Sequence, residues 1–102
     1  MEHGEWWTFS YNYNHNFGSC SSWGDKRIQV VLPEPGELLK IDPYDLTRES
    51  PNIWTGTWGG EVEEGKITQT VTLTISEEKL ILKDVITLSW IGTSICETEW
   101  TK

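Results

Sequence analysis

The sequence contains no apolar run approaching the ~20 residues that a membrane helix requires. Its opening residues, MEHGEWW, lack the basic region and apolar stretch of a secretory signal. The chain as given is therefore expected to be soluble, either cytoplasmic or a mature secreted domain. Basic residues are scarce: eight Lys and Arg stand against sixteen Asp and Glu, a formal charge of −8. That balance repels phosphate backbones and anionic membrane surfaces, which argues against nucleic acid and membranes as partners. It fits a neutral ligand, a metal ion or a basic protein partner.

Groups that perform chemistry are few as well. There are two histidines, His3 and His15, and no G-x-S-x-G or comparable nucleophile setting, so no triad is assembled. His15 lies within an aromatic run and reads as a packing or hydrogen-bonding residue. His3, His15, Cys20 and Cys96 match none of the short-range ligand pairs of zinc sites. Neither Asp42, Asp45 and Glu49 nor Glu61, Glu63 and Glu64 have EF-hand spacing, so both groups read as solvated acidic turns. TGTWGG has the wrong spacing for a phosphate cradle and precedes no helix. Glu61 with Glu63 is the one tidy carboxylate pair, and a chain this short leaves little room for a deep cleft beside its core. No catalytic residue, metal site or cofactor is assigned, and a role in binding rather than catalysis is expected.

Only two cysteines occur, Cys20 and Cys96, with 75 residues between them and neither in a C-x-x-C unit. A disulfide between them would stabilise the fold by ~4 kcal/mol in the chain-entropy model. Two buried free thiols remain the alternative.

What the sequence has in quantity is aromatic. Seven Trp, three Tyr and two Phe make up 12 of its 102 residues. A chain of this length suits one core, so residues 1–102 are expected to form a single domain. Large rings serve both a small core and a binding face, and composition does not separate the two uses.

The order of residues predicts strands. Trp7 to Phe17, WTFSYNYNHNF, alternates aromatic or imidazole with small polar residues, which places Trp7, Phe9, Tyr11, Tyr13, His15 and Phe17 on one face of an extended strand. GSCSSWGD, carrying Cys20 and Trp23, reads as a loop. Strands follow at Lys26 to Leu32, ended by PEPG, and at Glu37 to Ile41. Asp42-Pro43 reads as the cap and first turn of one short helix ended by Ser50-Pro51. From Ile53 to Val62 a strand is interrupted by Gly56, Gly59 and Gly60, which predicts a bulge or bend. Glu64-Gly65 makes a turn into a long β-branched strand, Ile67 to Ile75. Strand resumes at Lys79 to Ile91, with an irregularity expected at Lys83-Asp84. A last strand, Thr93 to Trp100, sets Cys96, Thr98 and Trp100 opposite Ile95, Glu97 and Glu99. The expected fold is all-β: a small antiparallel sandwich or barrel of about seven strands with at most one short helix.

Gly56-Thr57-Trp58 resembles the Gly-x-Trp that opens lipocalin and avidin barrels, a resemblance covering three residues and implying a pocket for a small apolar ligand. Only 44 residues follow it, too few for the seven further strands of such a barrel.

The leading functional expectation is a carbohydrate-binding or lectin-like domain. Sugars present apolar C–H faces rimmed by hydroxyls, so proteins lay Trp or Tyr rings against them and meet the hydroxyls with Asn, Asp, Gln and Ser. The candidate rings are Trp6, Trp23, Trp54 and Trp58, in or beside loops, with Asn12, Asn14 and Asn16 as polar neighbours. Trp7, Phe9, Tyr11 and Tyr13 are expected in the core. Trp6, adjacent to Trp7, must then face the other way. The alternative is an acidic intracellular inhibitor, of toxin-immunity or phage counter-defence type, that binds a basic partner protein through acidic and aromatic groups. A third role, as a piece of a larger assembly, would use edge strands, expected at the first or last strand.

Overall fold

The structure, a computed structural model, describes residues 5–15, 27–41 and 44–101, and of residues 5, 6, 9–15 and 27 it describes the backbone alone. These residues form eight strands: β1 (Glu5–His15), β2 (Arg27–Val30), β3 (Leu39–Ile41), β4 (Tyr44–Ser50), β5 (Ile53–Val62), β6 (Gly65–Ile75), β7 (Lys79–Leu88) and β8 (Gly92–Thr101). All pairings are antiparallel, in the order β2-β1-β8-β7-β6-β5-β4-β3. The fold is all-β, and the sheet curls into a nearly closed, barrel-like form. The curl follows from the core: Trp7, Val30, Leu39, Leu46, Trp54, Leu73, Leu80 and Trp100, one from each strand, belong to a single buried cluster. A flat sheet would hold the residues of β2 and β3 far apart. Each buried Leu or Val contributes ~1.5–3 kcal/mol relative to exposure, so the apolar face of every strand favours closure.

Strand β6 shows the sequence rule at work. Val71 and Leu73 are fully buried, while the intervening threonines face away, and β6 pairs without a break to β5 on one side and β7 on the other. The β5–β6 hairpin expected from the sequence is present, its turn at Glu63-Glu64 between the paired residues Val62 and Gly65, one residue earlier than the expected Glu64-Gly65.

Several expectations are corrected. The segment read as a helix is strand β4, in which Leu46 is buried between exposed Asp45 and Thr47. Its pairing to β3 through Leu39–Leu46 and to β5 through Arg48–Trp54 satisfies the backbone on both sides, and this outweighs a local cap signal. Asp42 and Pro43, the expected cap and first turn, lie outside the described residues. The glycines of β5 make no bulge: β5 pairs β6 continuously from Ile53 to Val62. Likewise Lys83 and Asp84 keep register with both neighbours. The shifts fall elsewhere, between Arg48 and Ser50 and between Phe9 and Tyr11.

The shift in β1 breaks the long alternation. Phe9 pairs Trp100 but Tyr11 pairs Glu99, two successive β8 residues on opposite faces. Beyond the shift, Asn12 and Asn14 occupy the rows of Thr98 and Cys96, and Tyr13 that of Glu97. Trp7 is buried in the core as expected. The side chains of Phe9, Tyr11, Tyr13 and His15, and Phe17 altogether, lie outside the description. The edges are also relocated: β1 and β8 pair with each other, which leaves β2 and β3 as the edge strands.

The core fills only part of the molecule's 47 Å length. Pairing of β4 to β5 covers Ile53, Trp54 and Thr55 and goes no further, whereas β5, β6, β7 and β8 continue together toward the β5–β6 and β7–β8 turns. Beyond the core this inner face forms a trough that is exposed on its β5 side, at Trp58, Gly60 and Val62, while Ser94 on its β8 side is buried.

Candidate functional site

The inner face of β5 carries Trp54, Gly56, Trp58, Gly60 and Val62, at the two-residue period of a strand. Trp54 is 5% exposed and Trp58 is 39% exposed, though they are four residues apart on one face. Gly56 connects these two outcomes: a Cβ there would stand 2.6 Å from Trp58 Cη2 and 3.2 Å from Leu46 Cδ2. The missing side chain is what lets the Trp58 ring lie back over the sheet. Tyr44 of β4 meets it from the other side, with ring centroids 5.7 Å apart and planes inclined by 36°.

A polar group sits beside these rings. The Tyr44 hydroxyl donates to Asp84 Oδ2 at 3.0 Å, and Gln69 Nε2 donates to Asp84 Oδ1 at 2.9 Å and Oδ2 at 3.2 Å. Gln69 is the cross-strand partner of Trp58, and Asp84 that of Val71, so both side chains rise from the inner face. Burial, then the Asp84 charge and its hydrogen bond, push the Tyr44 hydroxyl up to about 12, against a smaller opposing effect of Gln69. Tyr44 is therefore a neutral donor across the ordinary pH range.

Ser94, Cys96 and Thr98 line the β8 side of the same face, and Cys96 is disulfide-bonded. Cys20, the other cysteine of the proposed pair, lies outside the described residues. At the far end of the trough Trp90, in the β7–β8 turn, is 40% exposed. Ser89 anchors that turn, since its N–H donates to Lys66 O at 3.0 Å while its Oγ accepts from Lys66 N at 2.9 Å. A side chain at Gly65, whose φ is +151°, would collide with Ser89 Oγ and lie 3.0 Å from Trp90 Cε3, so the indole stands over Gly65 on the inner face.

Of the rings named from sequence, the structure thus exposes Trp58 and buries Trp54, whose Nε1 has no hydrogen-bond partner among the described residues. Trp6 pairs Gln29 through its backbone, and Asn12 and Asn14 take the rows described above. Trp23 and Asn16 lie outside the described residues. Sequence reasoning missed Tyr44, Gln69, Asp84 and Trp90. Trp90 carried a readable signal, a Trp two residues before the glycine that ends the run, but it was assigned to the strand rather than the turn.

A separate cavity of about 360 Å³ lies where the segment between β2 and β3 faces the start of β5, walled by Leu32, Pro33, Glu37, Arg48, Pro51 and Trp54. Arg48 is turned to its own β4–β5 turn, donating from Nε to Ser50 O at 3.3 Å and from Nη2 to Pro51 O at 3.5 Å. Among the described residues no group of His, Cys, Asp and Glu is placed to hold a metal ion.

In comparisons with known proteins, no family model, no curated protein and no solved structure matches the chain.

Proposed function

We propose that this chain is a non-catalytic carbohydrate-binding domain whose site is the trough, with Trp58 as the platform for a neutral sugar ring. The observation that carries this reading is the half-exposed Trp58 ring, held by Tyr44 and flanked by the Asp84–Gln69 pair. The C–H face of a pyranose stacks on an indole, and its hydroxyls require acceptors and donors within reach of that ring. Asp84 accepts from Tyr44 and Gln69 and retains lone pairs, because a carboxylate offers about four acceptor positions. Gln69 directs its amide nitrogen to Asp84, which leaves its carbonyl oxygen for a hydroxyl. A net charge of −8 does not oppose a neutral ligand.

Electrophoresis of the native protein through gels containing soluble glucans, xylans and mannans, beside a non-binding acidic control, tests the reading. Retardation by at least one polysaccharide is expected. Unchanged mobility in every gel contradicts it.

A second reading, an acidic inhibitor of a basic partner protein, has one specific observation in its favour. Exposed Val62, Trp90 and Ile91 share an end of the molecule with exposed Glu61, Glu63 and Glu64. Aromatic anchors within an acidic rim suit a basic protein surface. Association of that kind weakens steeply with salt, whereas sugar binding is nearly salt-independent.

A further inference from the structure

We infer that the trough binds the interior of a linear chain of neutral sugars, engaging Trp58 and Trp90 at once, rather than a single sugar or a chain end. This rests on the carbohydrate reading above and specifies its ligand. Trp58 stands in the row of Gln69, Ile86 and Ser94, while Trp90 stands over Gly65, which pairs Val62. Four residues of β5 separate the two rows and the Trp58 ring reaches back over Gly56, so the two indoles are about 13–20 Å apart along the strand at ~3.3 Å per residue. That span exceeds one hexose ring, so no monosaccharide touches both indoles.

The surface between the rings suits a chain. The intermediate row is Gly60, Ile67 and Leu88, two half-buried apolar side chains beside a glycine. A Cβ at Gly60 would meet nothing within 4 Å, so the path over β5 is unobstructed. The Trp58 ring packs on Tyr44, and the Ser89–Lys66 bonds hold the turn that carries Trp90; such preorganisation limits the entropy lost on binding. Along β5 the face is exposed at Trp58, Gly60 and Val62.

Calorimetric titration with cello-, xylo- and mannooligosaccharide ladders tests the inference. Affinity is expected to climb with chain length until the ligand spans both rings and then to level off. Trp90→Ala is expected to lower the affinity for long members about tenfold, the loss of one ring contact, while leaving the shortest binding members unchanged. Gly60→Leu places a side chain in open space with an ordinary strand backbone, so thermal unfolding should be unaltered while long chains bind no better than short ones. Length-independent affinity, or long-chain binding untouched by both variants, overturns this inference and leaves the carbohydrate reading standing. Absence of binding by every ladder overturns both.

Discussion

The Tyr44 hydroxyl donates to Asp84 Oδ2 at 3.0 Å, although 40 residues separate the two in sequence and strands β5 and β6 lie between theirs in the sheet. The bond therefore crosses the interior of the curled sheet instead of following its ladder. It ties β4 to β7 where the packed core gives way to the trough, and it sets the wall against which Trp58 stands.

Tyr44 should make stability sensitive to alkali. Its hydroxyl is raised from 10.0 to about 12, so the folded state favours the protonated form. The associated stabilisation is complete below the unfolded value and is lost as pH rises through the window from 10.0 to about 12. Titration of tyrosinate absorbance should include a late tyrosine, and Asp84→Asn should move it toward the ordinary value by removing the charge and leaving only a neutral acceptor. Ionisation of Tyr44 near pH 10 would contradict the geometry.

Gly56→Ala should disturb the site without abolishing the fold. The added Cβ stands 2.6 Å from the far edge of the Trp58 ring, so the indole must move. Overpacking of this kind typically costs about 1–3 kcal/mol. Expected are a lowered urea midpoint, an altered tryptophan emission spectrum and weakened polysaccharide retardation. Unchanged emission and retardation would show that Trp58 does not rest on Gly56.

The disulfide of Cys96 should be a major element of stability. A bond between the two cysteines of the chain encloses 75 residues, worth ~4 kcal/mol in the chain-entropy model against a typical total of ~5–15 kcal/mol. Cys96→Ser, or reductant applied to the native protein, should lower the urea midpoint substantially. A midpoint insensitive to both would remove the bond from the account.

Alternation carried most of the fold. The β-branched run of β6 and the Cys96–Thr98–Trp100 face of β8 were legible because one buried face imposes a period of two. Strand β4 was not, because Asp42-Pro43 is a local helix signal whereas the pairing that decides the matter comes from β3 and β5. The shift between Phe9 and Tyr11 was equally hidden: it is set by β8, some 90 residues away in sequence. Trp54 and Trp58 look alike in sequence, and only the point at which β4 leaves β5 makes one core and the other surface. The polar half of the site escaped notice for a similar reason. Gln69 and Asp84 lie in unremarkable strand runs, and only the sheet register brings them together.

The central claim, that Trp58 is the platform of a sugar-binding trough, is tested most directly by titrating the wild-type chain and Trp58→Ala with one polysaccharide that retards the wild type. Trp58 lies outside the buried cluster, so the variant should still fold, with a urea midpoint lowered by loss of the ring's packing on Gly56 and Tyr44. The account predicts binding by the wild type, little dependent on salt, and loss of at least about tenfold in affinity in Trp58→Ala. Undiminished binding by a folded Trp58→Ala would contradict it and move the site away from the trough.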